Sequence, residues 1–560
     1  MGNLLRGEVG LVWSKKLIFA CVLVADFTVC GAYAGEVQPA EVESAVDVRN
    51  ESAIAPVPNK ENAFDILEFN VKGNTVLANE KIEQTVYPFL GEKRSIDDAE
   101  SARTALEKAY HEAGYLTVLV NIPEQKVDAG VVVLEVVESK VDVLRVTGSH
   151  YYSLGRIKAG VPELAEGKTP HFPTMQKQLE ALNRSPDRTI TPVMKAGHTP
   201  GTVSMELKVN DKLPLHASVN LNNNYSADTT ELRTALNLHY DNLWQLGHSL
   251  NLSFLTTPQK ISESKVFFAA YSVPLDSGDT VSLKAIHNDS DVAALNTLNV
   301  VGNGNIFGLR YAHPLPVPPN VGNFFHNLSF DVEYKDFGQT VNLQGVDSSV
   351  NSPITYMPFA ANYEAGFRGK SSITTFGINL NTHFRGLVGE EQDFRDKRFK
   401  AHANYVYLRG NIAHMWRFEN DMKLDMRLSG QLTDQPLISN EQISLGGADN
   451  VRGYLQSEVL GDIGYSGAVE LSSPKFGQYL STWVDDLHAL GFVDFGEVVV
   501  LEPLASQRES YSIASTGLGL RLKVRQVNAQ LDFAVPLNDG AANRTKAGDS
   551  RLHFGIEYAF

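Results

Sequence analysis

The chain has 560 residues, 43% of them hydrophobic, with 49 Lys and Arg against 65 Asp and Glu for a formal net charge of -16. That hydrophobic share suits a chain with sizeable cores and excludes disorder or a collagen-like structure, and the length leaves room for several domains. An acidic total without a basic stripe argues against nucleic acid as a partner, because phosphate binding needs clustered Lys and Arg.

The first 34 residues read as a secretory signal. Arg6, Lys15 and Lys16 precede the apolar run LIFACVLVA, and small residues at Ala32 and Ala34 place signal-peptidase cleavage after Ala34. The run is too short to cross about 30 Å of hydrocarbon. Both cysteines, Cys21 and Cys30, fall inside this 34-residue segment, so the mature chain has no thiol for disulfides, metal binding or catalysis. Residues 35–62 are acidic, rich in small residues and spaced by Pro56 and Pro58, the composition of a linker with room for a short helix near Glu41 to Val48.

An internal repeat follows. FNVKGNTVL from Phe69 is echoed by LRVTGSHYYSL from Leu144, and GVVVLEVVE from Gly130 by GTVSMELKV from Gly201. Between the echoes, Ser95 to Asp98 makes a capping-box start, and Ile96, Ala99, Leu106, Tyr110 and Ala113 recur at helical spacing until Gly114. Each unit, 63–139 and 140–211, reads as strand, helix, helix, strand, strand. Helices on one face of so small a sheet leave the middle strand in sequence at an edge, where a partner strand can add.

From 212 to 560 the period changes to two. Leu236, Leu238 and Tyr240 share a face, as do Leu250, Leu252 and Phe254, and Leu328, Phe330, Val332 and Tyr334. The opposite face carries Asn, His, Ser, Lys and Asp, the pattern of a barrel with lipid outside and water inside. At roughly 22 residues per strand and connection, this length holds about sixteen antiparallel strands. The chain ends in Phe560, with Tyr558 and Ile556 on the same face. The fold class is therefore an α+β tandem followed by an all-β transmembrane barrel.

Near 445–458, LGGADNVRGYLQSE combines turn-forming Gly and Asp-Asn with Val451, Arg452, Gly453 and Tyr454, a set suited to contact rather than to solvent. Alternation in ALGFVDFGEV puts Phe492, Asp494 and Gly496 on the inner face, that in GAVELSS puts Glu470 there, and that in TGLGLRLKV adds Gly517, Gly519 and Arg521. Arg452 then has a partner in Asp494, since a guanidinium and a carboxylate join through two parallel hydrogen bonds. A wet lumen around the pair would keep the cost of breaking it small.

Together, VKGNTVL and PEQKVDAG in the first repeat, LNRSPDRTITPVMKAGHTPGTVSMELKV in the second, and VRGY, GFVDFG and GLGLRL in the barrel resemble the outer-membrane transporters of two-partner secretion, the hemolysin-activator and filamentous-hemagglutinin transporter type. The resemblance implies that the repeats are periplasmic POTRA domains and that the arginine loop folds into the barrel. It also implies a plug helix before the first POTRA domain, whereas the segment here is short and interrupted by proline.

The resulting expectation is a monomeric translocation pore that takes an unfolded partner exoprotein from the periplasm to the cell surface. It would sit in outer-membrane lipid, inserted by the barrel-assembly machinery. Without a nucleotide-binding loop, the drive comes from folding outside. The edges Tyr115 to Asn121 and Arg188 to Ala196 would capture cargo by strand addition, with Tyr115, Val118, Val120, Asn121, Arg188 and Ile190 as partner-binding residues. A barrel-assembly insertase shares the arginine loop, and a passive porin would explain the barrel without the repeats. GxSxG and HExxH are absent and the 15 histidines are scattered, so no enzyme, cofactor or metal is expected.

Overall fold

The computed structural model describes residues 64–560 apart from 128, 228, 291, 296–297, 302, 319–320, 339, 343–348, 506 and 542–543. The expected signal at 1–34 and linker at 35–62 lie outside the described residues. The rest divides between Pro214 and Leu215 into two units.

The first α/β unit contains β1 (Glu68–Lys72), α1 (Asn79–Val86), α2 (Ile96–Glu112), β2 (Val118–Asn121) and β3 (Val131–Glu138). The second repeats the order with β4 (Lys140–Thr147), α3 (Leu154–Ala159), α4 (Phe172–Leu182), β5 (Arg188–Ala196) and β6 (Thr202–Asp211). In each, the first and last strands pair in parallel and the middle one joins the last strand antiparallel, so β2 and β5 are edges. At the start of α2, Ser95 accepts from the Asp98 N–H and Asp98 accepts from the Ser95 N–H at 2.8 Å. That backbone bond holds the Asp98 carboxyl below its ordinary pKa.

Geometry explains the sequence echo. Gly73 and Gly148, at φ +88° and +83°, lie against the Val136 and Val209 carbonyls, where a Cβ would come within 2.3 and 2.4 Å of the oxygen. A carboxylate at the end of the last strand then ties down the following turn. Glu138 accepts the Thr75 and Val76 N–H groups, and Asp211 accepts those of His150 and Tyr151.

Sixteen antiparallel strands close the barrel. The first eight are β7 (Leu215–Asn222), β8 (Arg233–Leu243), β9 (His248–Thr256), β10 (Lys265–Pro274), β11 (Thr280–Asp289), β12 (Asn303–Pro314), β13 (Phe324–Gly338) and β14. β14 runs as Ile354–Tyr356 and Phe359–Arg368, both parts pairing with β13 across a break at Met357 and Pro358. The other eight are β15 (Ser372–His383), β16 (Tyr405–Arg417), β17 (Lys423–Thr433), β18 (Ile463–Ser472), β19 (Asp486–Val499), β20 (Ser510–Val524), β21 (Val527–Pro536) and β22 (Arg551–Ala559). Most connections are short at the end where the chain enters the barrel, that between β18 and β19 at 473–485 excepted, and the longest loops lie at the other end.

The outer wall exposes Leu236, Leu252, Phe267, Phe307, Phe330 and Leu518, the apolar half of the alternation. β22 closes on β7, and the last residue contributes directly: Phe560 N–H donates to Ala217 O at 2.9 Å and Ala217 N–H to Phe560 O at 3.0 Å, while the ring stands 65% exposed. Deleting Phe560 removes both bonds from the seam with the shortest register among the barrel strands and trims the outer apolar face. The expected result is a fall in heat-modifiable barrel recovered from the outer membrane, read by gel mobility with and without boiling; wild-type amounts would refute it.

Candidate functional site

The connection between β17 and β18 leaves the wall, forms a small ribbon from Ile443–Leu445 and Val459–Gly461, and turns inward. Its tip is seated as a core is seated. Val451 and Tyr454 are fully buried, and Arg452 is 3% exposed. Gly446, Gly447 and Gly453 take φ of +104°, +113° and +89°, which lets the chain reverse in so little space.

Asp494 on β19 receives the Arg452 side chain through two parallel bonds, Nε to Oδ2 and Nη2 to Oδ1, both 2.7 Å, and the Arg452 main-chain N–H donates to Oδ2 at 3.1 Å. Nη2 also lies 2.8 Å from Glu470 Oε1 on β18, and Nη1 lies 3.9 Å from Asp532 on β21. The guanidinium carbon sits 3.4 Å from the centre of the Phe492 ring. Arg427 pairs with Glu470, and Arg521 with Asp532 through two bonds of 2.7 and 3.0 Å. Three arginines and three carboxylates thus balance. Arg521 serves the loop indirectly, by holding Asp532.

Small residues in the wall make the seat. A Cβ on Gly517 would come within 2.5 Å of the Phe492 ring, and one on Gly496 within 2.8 Å of Leu445 from the loop ribbon. Beyond Arg452, the Tyr454 hydroxyl lies among main-chain groups of Ala514 and Asn538, 2.9 and 2.7 Å from their carbonyl oxygens. Gly453 N–H donates to His553 Nε2 at 2.9 Å, which places the ring proton on Nδ1, and Arg551 Nε donates to Gly453 O at 3.2 Å. Sequence reasoning did not single out Asp532, His553 or Arg551. Alternation in QLDFAVP and RLHFGIEYAF carried the signal for the first two, since each is the polar residue between outward apolar ones.

The inward placements of Glu470, Phe492, Asp494, Gly517, Gly519 and Arg521 are those read from alternation. One expectation changes: the Arg452–Asp494 pair is dry, with Asp494 at 0% exposure, because Val451, Tyr454 and Phe492 close around it.

In the α/β units, Val118 and Val120 have side chains in the core and outward-facing backbone groups that are already occupied. Glu107 on α2 accepts the Val120 N–H at 3.1 Å, Arg103 donates to Val120 O at 3.2 Å, and His111 reaches Val118 O at 3.0 Å. Tyr115 packs on His171 with ring centres 5.1 Å apart, and Asn121 lies at the end of β2. On β5, Asn183 takes both backbone groups of Ile190 at 2.7 and 3.0 Å, and Arg188 binds Leu182 O and covers the Tyr152 ring at 4.5 Å. Both strands are edges as expected, the first beginning at Val118; helix side chains cap the outward groups of β2 along its length, but on β5 only those of Ile190 are capped.

An even-stranded barrel with an outward apolar wall, an inward arginine loop and small α/β units before it defines a POTRA-bearing outer-membrane barrel. A family model described as POTRA domain, ShlB-type, matches residues 64–139, and one described as Haemolysin secretion/activation protein ShlB/FhaC/HecB matches 325–522. These matches support an outer-membrane transporter of two-partner secretion, with its barrel in the outer membrane and its POTRA domains in the periplasm.

Similar proteins include the Heme/hemopexin transporter protein HuxB of Haemophilus influenzae, 20% identical with 85% of this chain and 84% of the relative covered. The Outer membrane transporter CdiB of Dickeya dadantii is also 20% identical, with 85% and 83% covered. In fold, CdiB from Escherichia coli superposes with a TM-score of 0.62 at 18% identity over 92% and 93% of the two chains. BamA from Haemophilus ducreyi lacking POTRA domains 1–3 gives 0.52 at 13% over 89% and 100%.

Removing the Arg452 side chain leaves Asp494 buried and uncompensated, a cost of about 3 to 5 kcal/mol, against roughly 1.4 kcal/mol for a tenfold change in a population. Arg452→Ala is expected to lower the seated-loop population more than tenfold and to reduce secretion without removing the barrel from the membrane. Arg452→Lys should rescue poorly because an ammonium lacks the fork. In a double-mutant cycle with Asp494→Ala, additive losses of secretion would show that the two residues do not act together.

Proposed function

We propose that the protein captures an extended, unfolded partner exoprotein at the second α/β unit and passes it through the barrel, with the Arg452 loop in its seat defining the working pore. One observation supports the capture step above all: the part of β5 that remains open. Ile190 turns its backbone groups away from β6 toward Asn183, so by the alternation of an antiparallel pair Pro192, Met194 and Ala196 do the same.

Pro192 has no N–H to offer, which blunts the middle of the edge. Past it, the Met194 and Ala196 groups face outward, and the Met194 side chain is 48% exposed. An extended peptide can add there through backbone bonds that are indifferent to its sequence, as a transporter for an unfolded chain requires. The β2 edge supports capture less, because Glu107, Arg103 and His111 already cap it.

Strand addition at Met194 makes a sharp expectation for full-length protein in detergent. Met194→Pro removes one outward donor and leaves the bonds to β6 in place, so affinity for the unfolded partner should fall while the circular dichroism spectrum is kept. Val120→Pro instead removes the N–H that Glu107 holds and should destabilise the first unit. Unchanged affinity for the folded Met194→Pro protein would sink the assignment of the edge.

A further inference from the structure

A second, separate anchor lies near the root of the arginine loop. Asp462, the residue before β18, is fully buried and accepts five donors: Arg398 Nη1 and Nη2 at 2.9 and 2.6 Å, Leu437 N–H at 2.8 Å, Leu501 N–H at 2.7 Å and Gln442 Nε2 at 3.1 Å. Nη1 and Nη2 of Arg398 also donate to Leu437 O at 2.9 Å and Leu501 O at 3.0 Å. This one pair joins three connections at the extracellular end, those between β15 and β16, β17 and β18, and β19 and β20.

The first of these connections carries α5 (Glu391–Lys397), whose Phe394 is 1% exposed against Tyr356, His383 and Tyr405 of the wall. Leu437 and Ile438 from the second connection join the same buried cluster, which includes the inner-wall residues Leu255, Val266 and Ile286. Beside them, Glu441 enters the wall and accepts from Lys335 Nζ, Tyr356 Oη and Tyr407 Oη at 2.7, 2.6 and 2.7 Å. A dry core inside a barrel that passes a polar chain obstructs the path. What locks it is a charge pair whose carboxylate takes five directional donors.

We infer that Arg398 and Asp462 form an outer latch: Arg398 is a positioning residue that holds the α5 connection over the extracellular exit by tying it to the root of the arginine loop, and the partner protein leaves only when this latch opens. The exit step rests on the transport reading, whereas the closed state does not. The two are therefore read separately, by conductance in planar bilayers without cargo and by secretion from cells.

Arg398→Ala in the full chain is expected to raise mean conductance several-fold, with Arg398→Lys intermediate because it keeps the charge and loses the fork. Wild-type conductance from a folded, heat-modifiable Arg398→Ala barrel would overturn the latch. If that variant fails to fold, a tether decides. Lys400 and Glu502, paired at 2.8 Å with side chains 51% and 52% exposed, sit on the first and third of these connections. Lys400→Cys with Glu502→Cys, joined by a reducible bifunctional thiol reagent, should leave conductance low, stop secretion and release it on reduction. Undiminished secretion from the tethered protein would overturn opening, and a tether that stops secretion irreversibly would count equally against it.

Discussion

The burial of one guanidinium organises the transporter's lumen. Arg452 has almost no contact with water, so its lost hydration has to be offset by contacts from the wall. Asp494 supplies two side-chain bonds and a third to the backbone, Glu470 another contact, and Phe492 a ring face. These groups come from β18 and β19, with Asp532 on β21 behind them. Their directions admit the loop in one orientation only, and a loop held in this way is part of the wall.

That requirement propagates outward. Phe492 can lie under the guanidinium because Gly517, its register partner on β20, leaves the space, and the loop ribbon can approach because Gly496 makes room for Leu445. Carboxylates so close together would repel, and Arg427 and Arg521 offset them from the far sides. The glycines and surplus charges of β18 to β21 are thus one arrangement: volume removed where the loop must enter, charge added where its arginine must end.

Much of this was legible in the sequence, for a physical reason. A strand bounded by lipid on one side and water on the other has no freedom in its alternation, so the inward positions of Glu470, Asp494 and Arg521 followed from their apolar neighbours. The repeat order was legible too, because Gly73 and Gly148 are forced by the same close approach to a strand carbonyl. Side chains that satisfy backbone across long sequence distances were not. Nothing in the periodicity of α2 says that Glu107, Arg103 and His111 reach the edge of β2, and nothing in a loop of mixed composition says that Arg398 will meet Asp462. The dry seat was missed likewise, because dryness depends on Val451, Tyr454 and Phe492 closing together.

Holding a loop by buried ion pairs rather than by apolar area alone has a consequence for a pore that must work repeatedly. Apolar burial at about 25 cal/mol per Å² is gained piecemeal and tolerates sliding. A fully satisfied ion pair is different: desolvation nearly cancels attraction, so its net contribution is modest, while its geometry is exact to a fraction of an ångström and half of it alone is costly. Such a contact is either made or released. With Arg452 in the wall at the loop's tip and Asp462 near its root, the connection between β17 and β18 is fixed at two points by opposite charges, and neither set of partners includes the other's. The tip can therefore keep its seat while the root lets go, which separates holding the pore's shape from opening its exit.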